Sequence, residues 1–65
     1  MTNIHPAAIV SSKAKLGNNI IVGPFAIIYD DVEIGDDCEI GPNAVIYDYA
    51  RIGNNVKIFQ GASVS

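Results

Sequence analysis

One cysteine, one histidine, one threonine, no tryptophan and only four cations are spread over 65 residues. Each scarcity excludes something. A single cysteine, Cys38, forms no internal disulfide. One histidine and one cysteine do not fill a tetrahedral metal site. Four cations against seven carboxylates give a net charge of -3 and a pI near 4.6, whereas nucleic acids and anionic membranes need a basic surface. No apolar run approaches the ~20 residues of a membrane span. Met1-Thr2-Asn3-Ile4-His5-Pro6 has no basic segment leading an apolar one, so no signal peptide is expected. The expected compartment is the cytoplasm, where a lone thiol stays reduced. The shortage of charge, 17% against 49% hydrophobic residues, argues for a folded chain rather than a disordered one. A chain this short needs a staple, meaning disulfides, a metal or partner chains. With the first two excluded, self-association is expected.

What the sequence does have is a repeat. Counting in sixes from Ile4 gives Ile4, Val10, Leu16, Val22, Ile28, Ile34, Ile40, Ile46, Ile52, Ile58 and Val64, all branched aliphatics with no slip. Two places before each stands a residue that is usually small: Ala8, Ala14, Ala26, Cys38, Ala44, Ala50 and Ala62 among them. Glycine follows the aliphatic at 17, 23, 35, 41 and 53. A period of six is not the helical 3.6, and Pro6, Pro24 and Pro42 would break helices. Six residues fit a short strand plus a sharp corner. Side chains alternate along a strand, so the aliphatic and the residue two before it share one side, the inside. Corners demand unusual backbone angles, and we expect Gly and Asn to supply them, as in Leu16-Gly17-Asn18-Asn19 and Ile52-Gly53-Asn54-Asn55.

Three strands and three corners close a triangle of 18 residues. Residues 22–39 and 40–57 align without a gap and are identical at eight of 18 positions, including Pro24/Pro42, Tyr29/Tyr47 and Gly35/Gly53. The expected fold is therefore all-β: one solenoid over residues 1–65, of about 3.5 triangular coils, stacked through parallel ladders at about 4.8 Å.

The run aliphatic-Gly-x-x-small-x resembles the hexapeptide repeat of left-handed parallel β-helix acyltransferases. Ile4-His5-Pro6-Ala7-Ala8-Ile9-Val10, Val22-Gly23-Pro24-Phe25, Val32-Glu33-Ile34-Gly35 and Ile58-Phe59-Gln60-Gly61-Ala62-Ser63-Val64 resemble, more closely, the N-terminal coils of the UDP-N-acetylglucosamine O-acyltransferases of lipid A biosynthesis. The resemblance implies a left-handed coil, a cytoplasmic homotrimer, and transfer of an acyl group from acyl carrier protein to a UDP-sugar. It also implies that the catalytic histidine, the substrate contacts and a helical domain lie in later parts of such enzymes. None of these falls on a position here. On this reading the 65 residues are a scaffold portion, inactive alone, with no catalytic, cofactor-binding or metal residue.

The individual candidate residues each have a plainer role beside a functional one. His5 is the one conventional base near neutral pH, but it stands at a corner beside the chain end and reads as structural. Cys38 occupies a small inward slot and reads as core. Asp30, Asp31, Asp36 and Asp37 fall at two successive corners and read as turn residues. Lys13 and Lys15 lie on the first coil and Arg51 and Lys57 on the third, and no glycine-rich loop leads into a helix, so no grip on a diphosphate is expected. Phe25, Tyr29, Tyr47, Tyr49 and Phe59 all miss the inward slots. Tyr29 and Tyr47 should stack one coil apart, with Tyr49 around the same corner. Such tyrosines either cover corner backbone or form an interface. The need for a staple favours a subunit interface of Tyr29, Tyr47 and Tyr49.

Two other functions compete. A sugar acetyltransferase on the same repeat differs only in its donor, and residues downstream would decide. A self-assembling solenoid with no catalytic role would follow from open sheet edges at both ends. An ice-binding solenoid needs ladders of threonine, and Thr2 is the only one.

Overall fold

The computed structural model describes residues 2–65. Eleven strands of two residues each follow one another at intervals of six: β1 (Asn3–Ile4), β2 (Ile9–Val10), β3 (Lys15–Leu16), β4 (Ile21–Val22), β5 (Ile27–Ile28), β6 (Glu33–Ile34), β7 (Glu39–Ile40), β8 (Val45–Ile46), β9 (Arg51–Ile52), β10 (Lys57–Ile58) and β11 (Ser63–Val64). The second residue of every strand is the aliphatic of the repeat. All pairings are parallel and link residues 18 apart, as in Asn3↔Ile21, Ile27↔Val45 and Glu33↔Arg51. Three sheets result, ordered β1-β4-β7-β10, β2-β5-β8-β11 and β3-β6-β9. These are the three faces of a triangular parallel β-helix, the fold expected from the repeat. Among the described residues no helix is long and apolar enough to cross a membrane.

The core is the axis of the prism. Ile20, Val22, Ala26, Ile28, Val32, Ile34, Cys38, Ile40, Ala44, Ile46, Ala50 and Ile58 are buried, and no described polar or charged residue is. These are the aliphatic column and the small column two places before it. Burial of each large aliphatic contributes about 1.5–3 kcal/mol. At the first coil the same column is open: Ile4 is 44% exposed. Thr2, also exposed, accepts at its Oγ1 a hydrogen bond of 3.3 Å from the Ile20 amide.

The corners carry a correction. Glycine and asparagine were both expected to supply unusual backbone angles. Asparagine does so: left-handed φ recurs three places after the aliphatic, at Asn19, Asn43 and Asn55, and also at Phe25, Asp31, Asp37, Tyr49 and Gly61. Gly17, Gly23, Gly35, Gly41 and Gly53 do not adopt it. Their role is close approach between coils. A Cβ on Gly17 would lie 2.6 Å from the Gly35 oxygen, and one on Gly23 would lie 2.8 Å from the Pro42 nitrogen. Only a hydrogen fits beneath the corner of the next coil. The left-handed residues donate across the stack, as in Asp37 N–H to the Asn18 carbonyl at 2.9 Å and Asn55 N–H to the Asp36 carbonyl at 2.9 Å.

Candidate functional site

The strand alternation that buries one side chain exposes its neighbour, so each face of the prism has its own chemistry. The face of β3-β6-β9 presents Lys15, Glu33 and Arg51 in register. Arg51 Nε lies 3.7 Å from Glu33 Oε1, with both side chains about half exposed, so the pair contributes little to stability. Arg51 Nη1 also donates to the Asp31 carbonyl. The face of β1-β4-β7-β10 presents Asn3, Ile21, Glu39 and Lys57 in register. The face of β2-β5-β8-β11 is different. It presents Ile9, Ile27, Val45 and Ser63 in register and carries no charge.

Aromatic residues stand at both borders of that uncharged face. At the corner leaving it, Tyr29 and Tyr47 stack with ring centroids 5.4 Å apart and planes 10° from parallel. The expected stacking of the two tyrosines is therefore present. They are 42% and 44% exposed, and Tyr49 at the same corner is 73% exposed. At the opposite border Phe25 and Phe59 are exposed too. Tyr49 and Phe25 hold φ of 70° and 63°. A left-handed conformation costs an L-residue about 1–2 kcal/mol, and it is rare for bulky side chains. The apolar ladder Ile9-Ile27-Val45 was missed in the sequence reading, which followed the inward columns. Its signal was there, in the residue just before each aliphatic on every third strand.

The remaining candidates are occupied by the corners themselves. His5 Nδ1 accepts a hydrogen bond of 3.0 Å from the Ala7 amide, which ties the ring into the first corner. Asp30 accepts from the Ser11 hydroxyl. Asp36 Oδ1 accepts from the Asn18 amide at 2.8 Å, and Asn54 Oδ1 accepts from the Asp36 amide at 2.7 Å. Asp37 Oδ1 accepts from Asn19 Nδ2 at 3.1 Å. The aspartates thus divide between two corners and bridge successive coils. Cys38 is buried, and its Sγ donates to the Gly53 carbonyl at 3.0 Å. Among the described residues no three His, Cys, Asp or Glu side chains are grouped as metal ligands would be.

Comparison with known proteins follows the same repeat. The sequence of the Acyl-[acyl-carrier-protein]--UDP-N-acetylglucosamine O-acyltransferase of Sulfurihydrogenibium sp. (strain YO3AOP1) is 71% identical over 24 residues. That stretch covers 37% of this chain and 9% of the relative's length. The bacterial transferase hexapeptide family (six repeats) matches residues 13–48, more than half of the chain. Those residues hold six consecutive aliphatic plugs, Leu16 to Ile46, and two complete laps of the prism. The chain belongs to the bacterial transferase hexapeptide family.

Proposed function

We propose that these coils are the scaffold portion of an acyltransferase that moves an acyl group from acyl carrier protein to UDP-N-acetylglucosamine. The observation that carries the reading is the 71% identity over 24 residues to a protein of that activity, set in an unbroken hexapeptide solenoid. Acyl carrier protein and the UDP-sugar are partners of the whole enzyme, in the cytoplasm, on the first step toward lipid A. The 65 residues contribute coil stacking and subunit packing, not chemistry: their one histidine serves as a turn acceptor and their one thiol is buried. They need no cofactor. Tyr29, Tyr47 and Tyr49 form the subunit interface of a homotrimer, a role supported by their exposure and by the stacking of Tyr29 on Tyr47.

Two measurements test this. The isolated 65-residue chain should show no transfer from acyl-acyl carrier protein to UDP-N-acetylglucosamine; turnover would overturn the scaffold role. In the Sulfurihydrogenibium enzyme, exchanging the 24 matched residues for those of this chain should leave acyl transfer within about tenfold of the parent, since conservative exchanges in a repeat cost little. A chimera that folds but loses activity would refute the assignment to this enzyme.

A further inference from the structure

The corner between β1 and β2 recurs between β4 and β5, β7 and β8, and β10 and β11, as residues 5–8, 23–26, 41–44 and 59–62. It holds Pro6, Pro24, Pro42, Phe25 and Phe59 and no Asp, Glu, Lys or Arg. The other two corners are charged, one through Lys13, Asp30, Asp31 and Asp48, the other through Asp36 and Asp37. The proline corner adjoins the uncharged face of β2-β5-β8-β11. Of the exposed large hydrophobic residues, Ile9, Phe25, Tyr29, Tyr47, Tyr49 and Phe59 lie on this face or at its borders, and only Ile4 and Ile21 lie elsewhere. Single exposed apolar side chains need no explanation, but a contiguous set marks an interaction surface. The patch lies on the side of the prism, where further coils would lengthen it rather than cover it.

We propose that the proline corner of one copy of this chain docks on the uncharged face of the next, in a closed ring of three with parallel prism axes. The inference rests on the subunit-packing role given above and names the surface that the tyrosine-bordered face receives. Three follows from the cross-section. In an equilateral triangle the directions from the centre to a face and to the adjoining corner differ by about 60°, and in a ring of three each member sees its two neighbours about 60° apart. Contact of face with adjoining corner therefore closes at three. Area argues the same way. The prism measures 23 × 20 × 20 Å between Cα atoms, so one face offers at most about 400 Å², half of the ~800 Å² per partner in a stable pair. In a ring each copy gives one patch and receives another, which doubles what it buries. Rotation about a parallel axis keeps each coil level with its counterpart. Phe25 of one copy thus meets Ile27 and Tyr29 of the next copy, and Pro42 and Asn43 meet Val45 and Tyr47. No charged column lies on either surface.

The test is sedimentation equilibrium on the 65-residue chain over a range of concentrations. The mass should rise from one chain to three and stop there. Phe25→Asn suits the backbone, because Asn43 holds φ of 62° at the same corner position where Phe25 holds 63°. It should raise the concentration of half-association about tenfold or more, since aromatic anchors carry much of an interface. Its urea midpoint at low concentration should match that of the parent. Ile27→Lys, on the receiving face, should weaken association to a similar extent from the other side of the contact. A mass limit of two chains, growth past three, or a single-chain mass at every concentration would each overturn the proposal. A trimer that survives either substitution would also overturn it, while leaving the tyrosine interface standing. The outcome is independent of the acyl-transfer assignment, which the chimera tests.

Discussion

Two glycines in one column should respond in opposite ways to the same substitution. At Gly35 an added methyl would lie 2.2 Å from Asn54 Oδ1 and 2.8–2.9 Å from the Gly53 carbonyl. The Asn54 side chain could move aside, but it would then release the 2.7 Å bond it accepts from the Asp36 amide, costing about 0.5–1.5 kcal/mol. The Gly53 carbonyl belongs to the stacked backbone, and forcing it away adds about 1–3 kcal/mol of overpacking. Together these approach the ~3–5 kcal/mol that a core of this size supplies. Gly35→Ala should therefore leave the chain largely unfolded at room temperature. At Gly53 the methyl enters open space, and removing glycine from the unfolded ensemble should stabilise the fold by about 0.4–1 kcal/mol. Urea unfolding followed by far-UV circular dichroism, at concentrations too low for association, reads both. Equal effects of the two substitutions, or a Gly35→Ala chain as stable as the parent, would refute the stacking geometry.

Two further outcomes follow from the core and from the aromatic corner. Ile34→Asp places a carboxylate in a column with no polar partner and should abolish cooperative unfolding, since an unpaired buried charge has nothing to compensate its desolvation; a parent-like spectrum and melting curve would count against the aliphatic axis. Tyr47→Ala removes a stacked ring worth about 0.5–1.5 kcal/mol and should lower side-by-side association more than monomer stability, read by comparing oligomer mass with the urea midpoint; an unchanged mass would remove the tyrosine interface.

Much of the fold was legible because the repeat constrains it twice. A period of six names the inward residue of each strand, and a period of 18 names which strands are neighbours. The two periods together assign Ile28 and Ile46 to one column, and they stand opposite one another in register. The glycines were harder to read. A glycine beside a turn is consistent either with left-handed φ or with close approach of another backbone, and the two are told apart only when the stacked coil is in place. The left-handed slot was obscured for a related reason. It is set by the geometry of the corner, so it recurs at Phe25 and Tyr49 as well as at Asn19 and Asn55, and residue type alone does not mark it. The tyrosine stack followed from the 18-residue column. The uncharged face beside it did not, because outward positions carry no obligatory residue type and must be compared across all three sheets.

The most direct test of the stacked triangular coil is a set of nuclear Overhauser contacts in isotope-labelled chain. The account predicts backbone contacts between residues 18 apart on all three faces, such as Ile21 with Glu39, Ile27 with Val45 and Glu33 with Arg51. Continuous helical contacts three or four residues apart running through the strand positions, or strands paired in a register other than 18, would contradict it.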